Sequence, residues 1–218
     1  YEEFLDICDK LKSAGYIPIA FANQNKWPAY HQFSIFANNI LGSEGVAEIL
    51  FGNGRWDTPE IEKAIKLFFV DMYKKGYFIP DCNGVTYDDG NMLFYTGRAA
   101  MHMTGTWLIA DIEENMKVGE VGFFYFPSIE GRPIAPPAGF GSGWFVSSNT
   151  SVPEIAATYL DYRFTEDPAR IWLEKGRRIA PILFDTTGLK ISPLMSFVLK
   201  ELKGVVAVSY THLRAHET

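Results

Sequence analysis

The stretch Gly97-Arg98-Ala99-Ala100-Met101-His102-Met103-Thr104-Gly105-Thr106-Trp107 constrains this chain more than any other. It reads as a glycine turn, a short buried strand, a second glycine turn and a tryptophan that opens a helix. From Ala99 to Thr104 the residues alternate as a pleated strand requires, with Met101 and Met103 on one face. Gly105 ends that strand, so Trp107 stands at its C-terminal mouth, beside a helix N-terminus. In an open α/β sheet that mouth is where ligands settle. The competing assignment for Trp107 is plain core packing, which the general habit of large aromatics favours.

The same strand, loop and aromatic-headed helix recurs earlier. Residues 2–14 spell a helix with Phe4, Leu5, Cys8 and Leu11 on its apolar face, and Gly15 stops it. Tyr16 to Phe21 follows as a buried strand, then the polar loop Asn23-Gln24-Asn25-Lys26. Trp27-Pro28-Ala29-Tyr30 opens a helix to about Leu41, with Pro28 suited to its first turn. Asp57-Thr58-Pro59-Glu60 starts another helix, capped and acidic at its positive end, which Gly76 closes. Residues 87–95 form a helix, and the one opened by Trp107 runs to about Met116. Val121–Phe126 and 144–146 are expected as strands, the second fed by the glycine loop 139–143. Ser151-Val152-Pro153-Glu154 caps a helix with Ile155, Ala156, Tyr159 and Leu160 inward, and Asp167-Pro168 starts the next, which Gly176 ends. The alternation of strand and helix makes the fold α/β, and its loss after residue 150 puts a boundary near 145–150.

Charge and composition remove several functions. With a net charge of -6 over 218 residues, no basic stripe is available for phosphates, so nucleic acid is not a partner. No run of 18 apolar residues exists, so nothing reads as a membrane span. Cys8 and Cys82 are assigned no pairing. No nucleophile elbow, zinc helix or Cys-x-x-Cys motif occurs, and the glycines at 139–143 match neither a P-loop nor a dinucleotide fingerprint. His102 faces either a cleft or the other side of the sheet. Asp88-Asp89 and Glu113-Glu114 read as solvent-facing helical pairs, and no two carboxylates are pinned across a ligand. Catalysis is therefore unsupported, with no cofactor and no metal expected.

A binding site makes weaker demands. Aromatics are 15% of the chain, and aromatic faces cover the apolar face of a sugar ring while a few polar groups fix its hydroxyls. Trp27, Tyr30 and Trp107, flanked by Gln24, Asn25 and Thr106, fit that description at two strand-to-helix junctions.

These residues resemble the extracellular solute-binding proteins of carbohydrate ABC transporters, the maltodextrin-binding-like family. The resemblance is carried by Gly97-Arg98-Ala99-Ala100-Met101 with Gly105-Thr106-Trp107, by Pro127, by Gly143-Trp144-Phe145-Val146-Ser147, and by the helix 153–164 followed by Thr165-Glu166-Asp167-Pro168. It covers roughly residues 1–200. It implies a partial two-lobe periplasmic-binding-protein fold of type II: 1–143 the second lobe, 144–148 a hinge-crossing strand, 149–204 helices returning to the first lobe. It implies Trp107 as the stacking tryptophan, Trp27 and Tyr30 as aromatics at the cleft, Gly139 and Phe140 where the glycine loop passes the ligand, and Arg177 in a loop facing it. The implied protein is extracytoplasmic, binds a sugar or oligosaccharide, and hands it to permease subunits. It is expected to be a monomer held to the membrane only through a lipid anchor in a missing N-terminal part. A carbohydrate-active enzyme or a sugar-sensing receptor domain using the same cleft is the alternative. Residues 205–218 read as a non-native tail, similar to a translated sequencing adapter, and the His212–His216 spacing within it receives no weight.

Overall fold

The computed structural model describes residues 1–117, 119–134 and 144–202. These fall into two compact units, one formed by Tyr1–Thr104 with 124–134 and the other by Gly105–Phe123 with 144–202. Among the described residues no helix is long and apolar enough to cross a membrane. The glycine loop with Gly139 and Phe140, and the tail 205–218, lie outside the described residues.

The first unit is organised on β1 (Ile17–Ile19), which is paired on both sides. Ile17 faces Ala99 and Ile19 faces Met101 of the parallel strand β2 (Ala99–Met101), while Ile19 also bridges Phe78. Ile17 and Ala20 donate to Arg98 O (3.1 Å) and Met101 O (2.8 Å) on the β2 side. Ile19 donates the other way, to Tyr77 O at 2.9 Å. Pro18 has no N–H to give, so it fits where the donors change sides.

Helix α1 (Glu2–Ser13) buries Phe4 and Cys8 against this sheet's core, and Gly15 turns the chain into β1 at φ 87°. Helix α2 (Trp27–Phe51) is kinked where the sequence suggests it should stop: Gly42 leaves helical conformation at φ 77° before the helix resumes. Helix α3 (Pro59–Ile65) begins as expected, with Thr58 Oγ1 accepting from Ile61 N at 3.3 Å. It then widens into a π-helical stretch over Lys66–Met72. The core is a ring cluster: Phe68 lies 5.1 Å from Phe21, Phe36 and Phe78, with centroids in tilted or edge geometry. Helix α4 (Tyr87–Tyr95) packs so closely on the sheet that a Cβ at Gly90 would lie 2.6 Å from Ala22 Cβ. Both cysteines are buried and free.

Two expected strands are not formed. Residues 121–126 carry no ladder; Phe123 packs in the second unit's cluster and Phe126 in the first unit's core, 4.8 Å from Phe36. Their alternation serves two cores rather than one sheet face, and β1 is already paired on both edges. Residues 144–147 are likewise non-strand, and Trp144 instead stacks 4.4 Å from the Arg163 guanidinium, which meets Trp172 at 4.4 Å on its own account.

In the second unit a single 3₁₀ turn (Thr106–Leu108) leads into α5 (Ile109–Asn115). Helices α6 (Pro153–Arg163), α7 (Glu166–Glu174) and α8 (Pro193–Leu202) follow. Its core is Ile109, Leu173, Met195 and Val198. The capping expected at Ser151 does not occur; Thr150 Oγ1 accepts from Val152 N at 3.3 Å instead. Helix α6 buries none of its residues: Ile155 and Tyr159, expected inward, are 66% and 51% exposed.

Candidate functional site

Among the described residues, those singled out by the sequence fall into two groups, one in each unit. In the first unit they lie on the loop that leaves the C-terminal end of β1. The turn closes through Lys26 N to Asn23 O at 3.0 Å, and Lys26 sits in the left-handed region at φ 66°, a conformation unusual for a side chain with a Cβ. Asn23 Oδ1 accepts from Ala29 N at 3.0 Å, serving a helix-start donor that would otherwise have no partner. The loop is tied to the segment before α4 by four bonds, one of them from Asn23 Nδ2 to Asn83 Oδ1 at 2.9 Å. Asn23 N donates to Cys82 O at 2.7 Å, Gln24 N to Val85 O at 3.0 Å, and Gln24 Nε2 to Gly84 O at 3.2 Å. Asn25 Oδ1 accepts from Tyr87 N at 2.9 Å and so helps to cap α4 together with Thr86.

This double anchorage places Trp27 and Tyr30 on a fixed base with their rings outward, 41% and 65% exposed. Three residues apart, they share one face of α2. Tyr87 packs against Trp27 with ring centroids 4.5 Å apart and its hydroxyl 2.8 Å from Thr104 Oγ1. Tyr87 was not singled out from the sequence. The signal was present: like Trp27, it is the first residue of a helix that follows a polar loop. His31 meets the Trp27 ring edge-on at 6.5 Å, and burial pushes its pKa below the ordinary value. His102 faces α4, with Nε2 2.6 Å from Asn91 Oδ1 and its ring between those of Tyr87 and Phe94.

In the second unit Thr106 and Trp107 form the 3₁₀ turn before α5, and Trp107 is 36% exposed. The indole folds back over Gly105. A Cβ there would penetrate the six-membered ring at Cζ3, Cε3 and Cη2. Glycine is thus required by the position of the tryptophan, not by its own backbone, which is extended. Gly105→Ala is expected to leave the melting temperature nearly unchanged but displace the indole. Ligand affinity of the full-length protein should fall about tenfold, read by titration calorimetry.

Arg177 sits at φ 47° after α7 and is held against α5. Its Nη1 donates to Ala110 O at 3.1 Å and to Glu114 Oε1 at 3.3 Å, and its Nε lies 3.4 Å from Glu113 Oε2. Glu113 is not the solvent-facing acid its position suggests. Its side chain is 9% exposed, and its other oxygen accepts from Leu194 N at 2.9 Å at the start of α8. Arg177→Ala removes the cation from this nearly buried carboxylate. We expect a loss of about 2 kcal/mol in denaturant unfolding, below the 3–5 kcal/mol of a fully buried pair because the arginine is partly solvated. Arg177→Lys, with fewer donors, should recover only part.

Among the described residues no group of three His, Cys, Asp or Glu side chains could hold a metal ion. What the first-unit group offers is exposed aromatic faces beside the amides of Gln24 and Asn25. That combination recognises a ring with one apolar face and a polar rim.

Comparison with known proteins gives the family. The family model described as "Bacterial extracellular solute-binding protein" matches residues 1–183. An ABC transporter extracellular-binding protein of Pyrococcus horikoshii, itself uncharacterised, is 29% identical over 106 residues, 49% of this chain and 23% of its own length. The multiple sugar-binding protein of Streptococcus mutans is 26% identical over 175 residues, 76% of this chain and 40% of its own. A solved chitin oligosaccharide binding protein superposes with a TM-score of 0.77 at 26% identity, over 92% of this chain and 51% of that one. The chain therefore spans about half or less of each of these relatives.

Proposed function

This chain belongs to the bacterial extracellular solute-binding protein family, and from that premise we propose that it is part of the sugar-capturing component of an ABC importer. As a member of an extracellular family it acts outside the cytoplasm. The observation that carries the sugar reading is the pair of outward rings on α2, Trp27 and Tyr30, set beside the anchored amides of Gln24 and Asn25. Trp107 joins them in our reading as a stacking aromatic, with Thr106 beside it. Relatives named for multiple sugars and for chitin oligosaccharide support that class of ligand.

In this reading residues 1–143 belong to one lobe, 144–148 cross between lobes and 149–204 belong to the other. The ligand shifts an open–closed equilibrium because it contacts both lobes only when they are closed. The loaded protein then delivers the solute to permease subunits, as a monomer retained by a lipid anchor, without transforming it. The test is a thermal-shift screen of the full-length protein against mono- and oligosaccharides. One sugar should raise the melting temperature in a concentration-dependent manner, by about 2.7 kcal/mol of stability at a hundred times Kd. Stabilisation by a polar non-sugar solute alone, or release of shortened products, would overturn the reading.

A further inference from the structure

We propose that the groove between α2 and α3 is an additional carbohydrate subsite, so that the solute is an oligosaccharide rather than a single ring; this rests on the sugar-binding reading above. The groove is lined by Ala29, Tyr30 and Phe33 of α2, by Trp56, and by Ile61, Ile65 and Phe69 of α3 and its π-helical continuation. Its volume is about 300 Å³, at the small end of ligand pockets, and suits one ring.

Three observations point to a sugar. The groove is continuous with the candidate site, because Tyr30 belongs to both and Trp27 precedes it by one helical turn on the same face. Its aromatics are presented rather than packed away. Tyr30 is 65% and Trp56 49% exposed, while Phe33 behind them braces Trp56 at 6.4 Å and Phe69 at 6.4 Å, nearly parallel to the latter. The rim is charged: Arg55 and Asp57, on either side of Trp56 in sequence, pair with each other at 2.8 Å and remain exposed. A pyranose places its C–H face on the indole and turns its hydroxyls toward that rim and the solvent.

Chain length tests this. The full-length protein is titrated with malto-, chito- and xylo-oligosaccharides from one ring to several, in wild type, Trp56→Ala and Trp56→Phe. The structure assigns the following result: affinity rises with chain length in wild type, Trp56→Ala loses about tenfold for the longer ligands alone, and Trp56→Phe keeps part of the gain. Unliganded melting temperatures show that the variants are folded. An undiminished chain-length gain in Trp56→Ala overturns the subsite, as does a wild type that binds a single ring as tightly as a chain. Self-association abolished by Trp56→Ala, with chain-length dependence intact, assigns the groove to a second copy and also overturns it. Failure of every sugar to bind wild type defeats the sugar reading itself.

Discussion

Trp107→Ala in the full-length protein is expected to weaken sugar binding by at least about 30-fold, the equivalent of roughly 2 kcal/mol for a central aromatic anchor. The size of the effect comes from preorganisation as much as from contact area. The indole is seated over Gly105 and launched from a 3₁₀ turn, so its orientation is fixed before any ligand arrives. Because the side chain is 36% exposed and outside the Ile109–Leu173–Met195–Val198 core, the unliganded melting temperature should hardly move. Trp107→Phe, which keeps a smaller face, should lose less. Titration calorimetry on the three proteins decides the matter. Alanine and wild type agreeing within about threefold would remove Trp107 from the site.

Acid is expected to destabilise the first unit through His102. Burial holds its pKa at about 4 against an ordinary 6.5, with the ring enclosed by Tyr87, Phe94 and Asn91. Between those two values the unfolded chain binds the proton and the folded one does not. Stability is therefore complete above pH 6.5 and falls as pH drops toward 4, by on the order of 3 kcal/mol from this residue. Other groups titrate in the same range, so the measurement is a difference. Urea midpoints are followed from pH 7 to 4 in wild type and His102→Gln, a variant that cannot ionise. The two curves should diverge steadily below pH 6.5; parallel curves would mean that His102 takes up its proton without unfolding.

Where a side chain speaks to its own backbone, the sequence was legible. Thr58 announces α3, and Gly15 and Gly76 turn the chain where expected, at φ 87° and 69°. The helix opened by Trp27, expected to end near Leu41, instead kinks at Gly42 and resumes within the same element. Apart from the cap expected at Ser151, what failed were inferences about partners at a distance. The alternation in 121–126 looks like a strand, yet no neighbouring edge takes it, and Phe123 and Phe126 go to different cores. The apolar residues of α6 say only that something apolar belongs beside them, not where it is. Arg177 and Glu113 illustrate the same limit for charge. Sixty-four positions apart, they show nothing in sequence of the pairing that draws Glu113 inward. The candidate site was half legible: the polar loop and its tryptophan stood out, whereas Tyr87 needed the fold to bring α4 beside α2.

Trp27 and Tyr87 each open a helix whose start is secured by another residue, Asn23 in one case and Thr86 with Asn25 in the other. The side chains that secure these helix starts are thus distinct from the rings that, in our reading, meet the solute. A lineage can exchange the ring at the head of such a helix, or dispense with it, while the caps, the sheet and the phenylalanine cluster beneath are inherited unchanged. Preference among solutes of one class can then change by single substitutions at the head of a helix, on an architecture that stays constant.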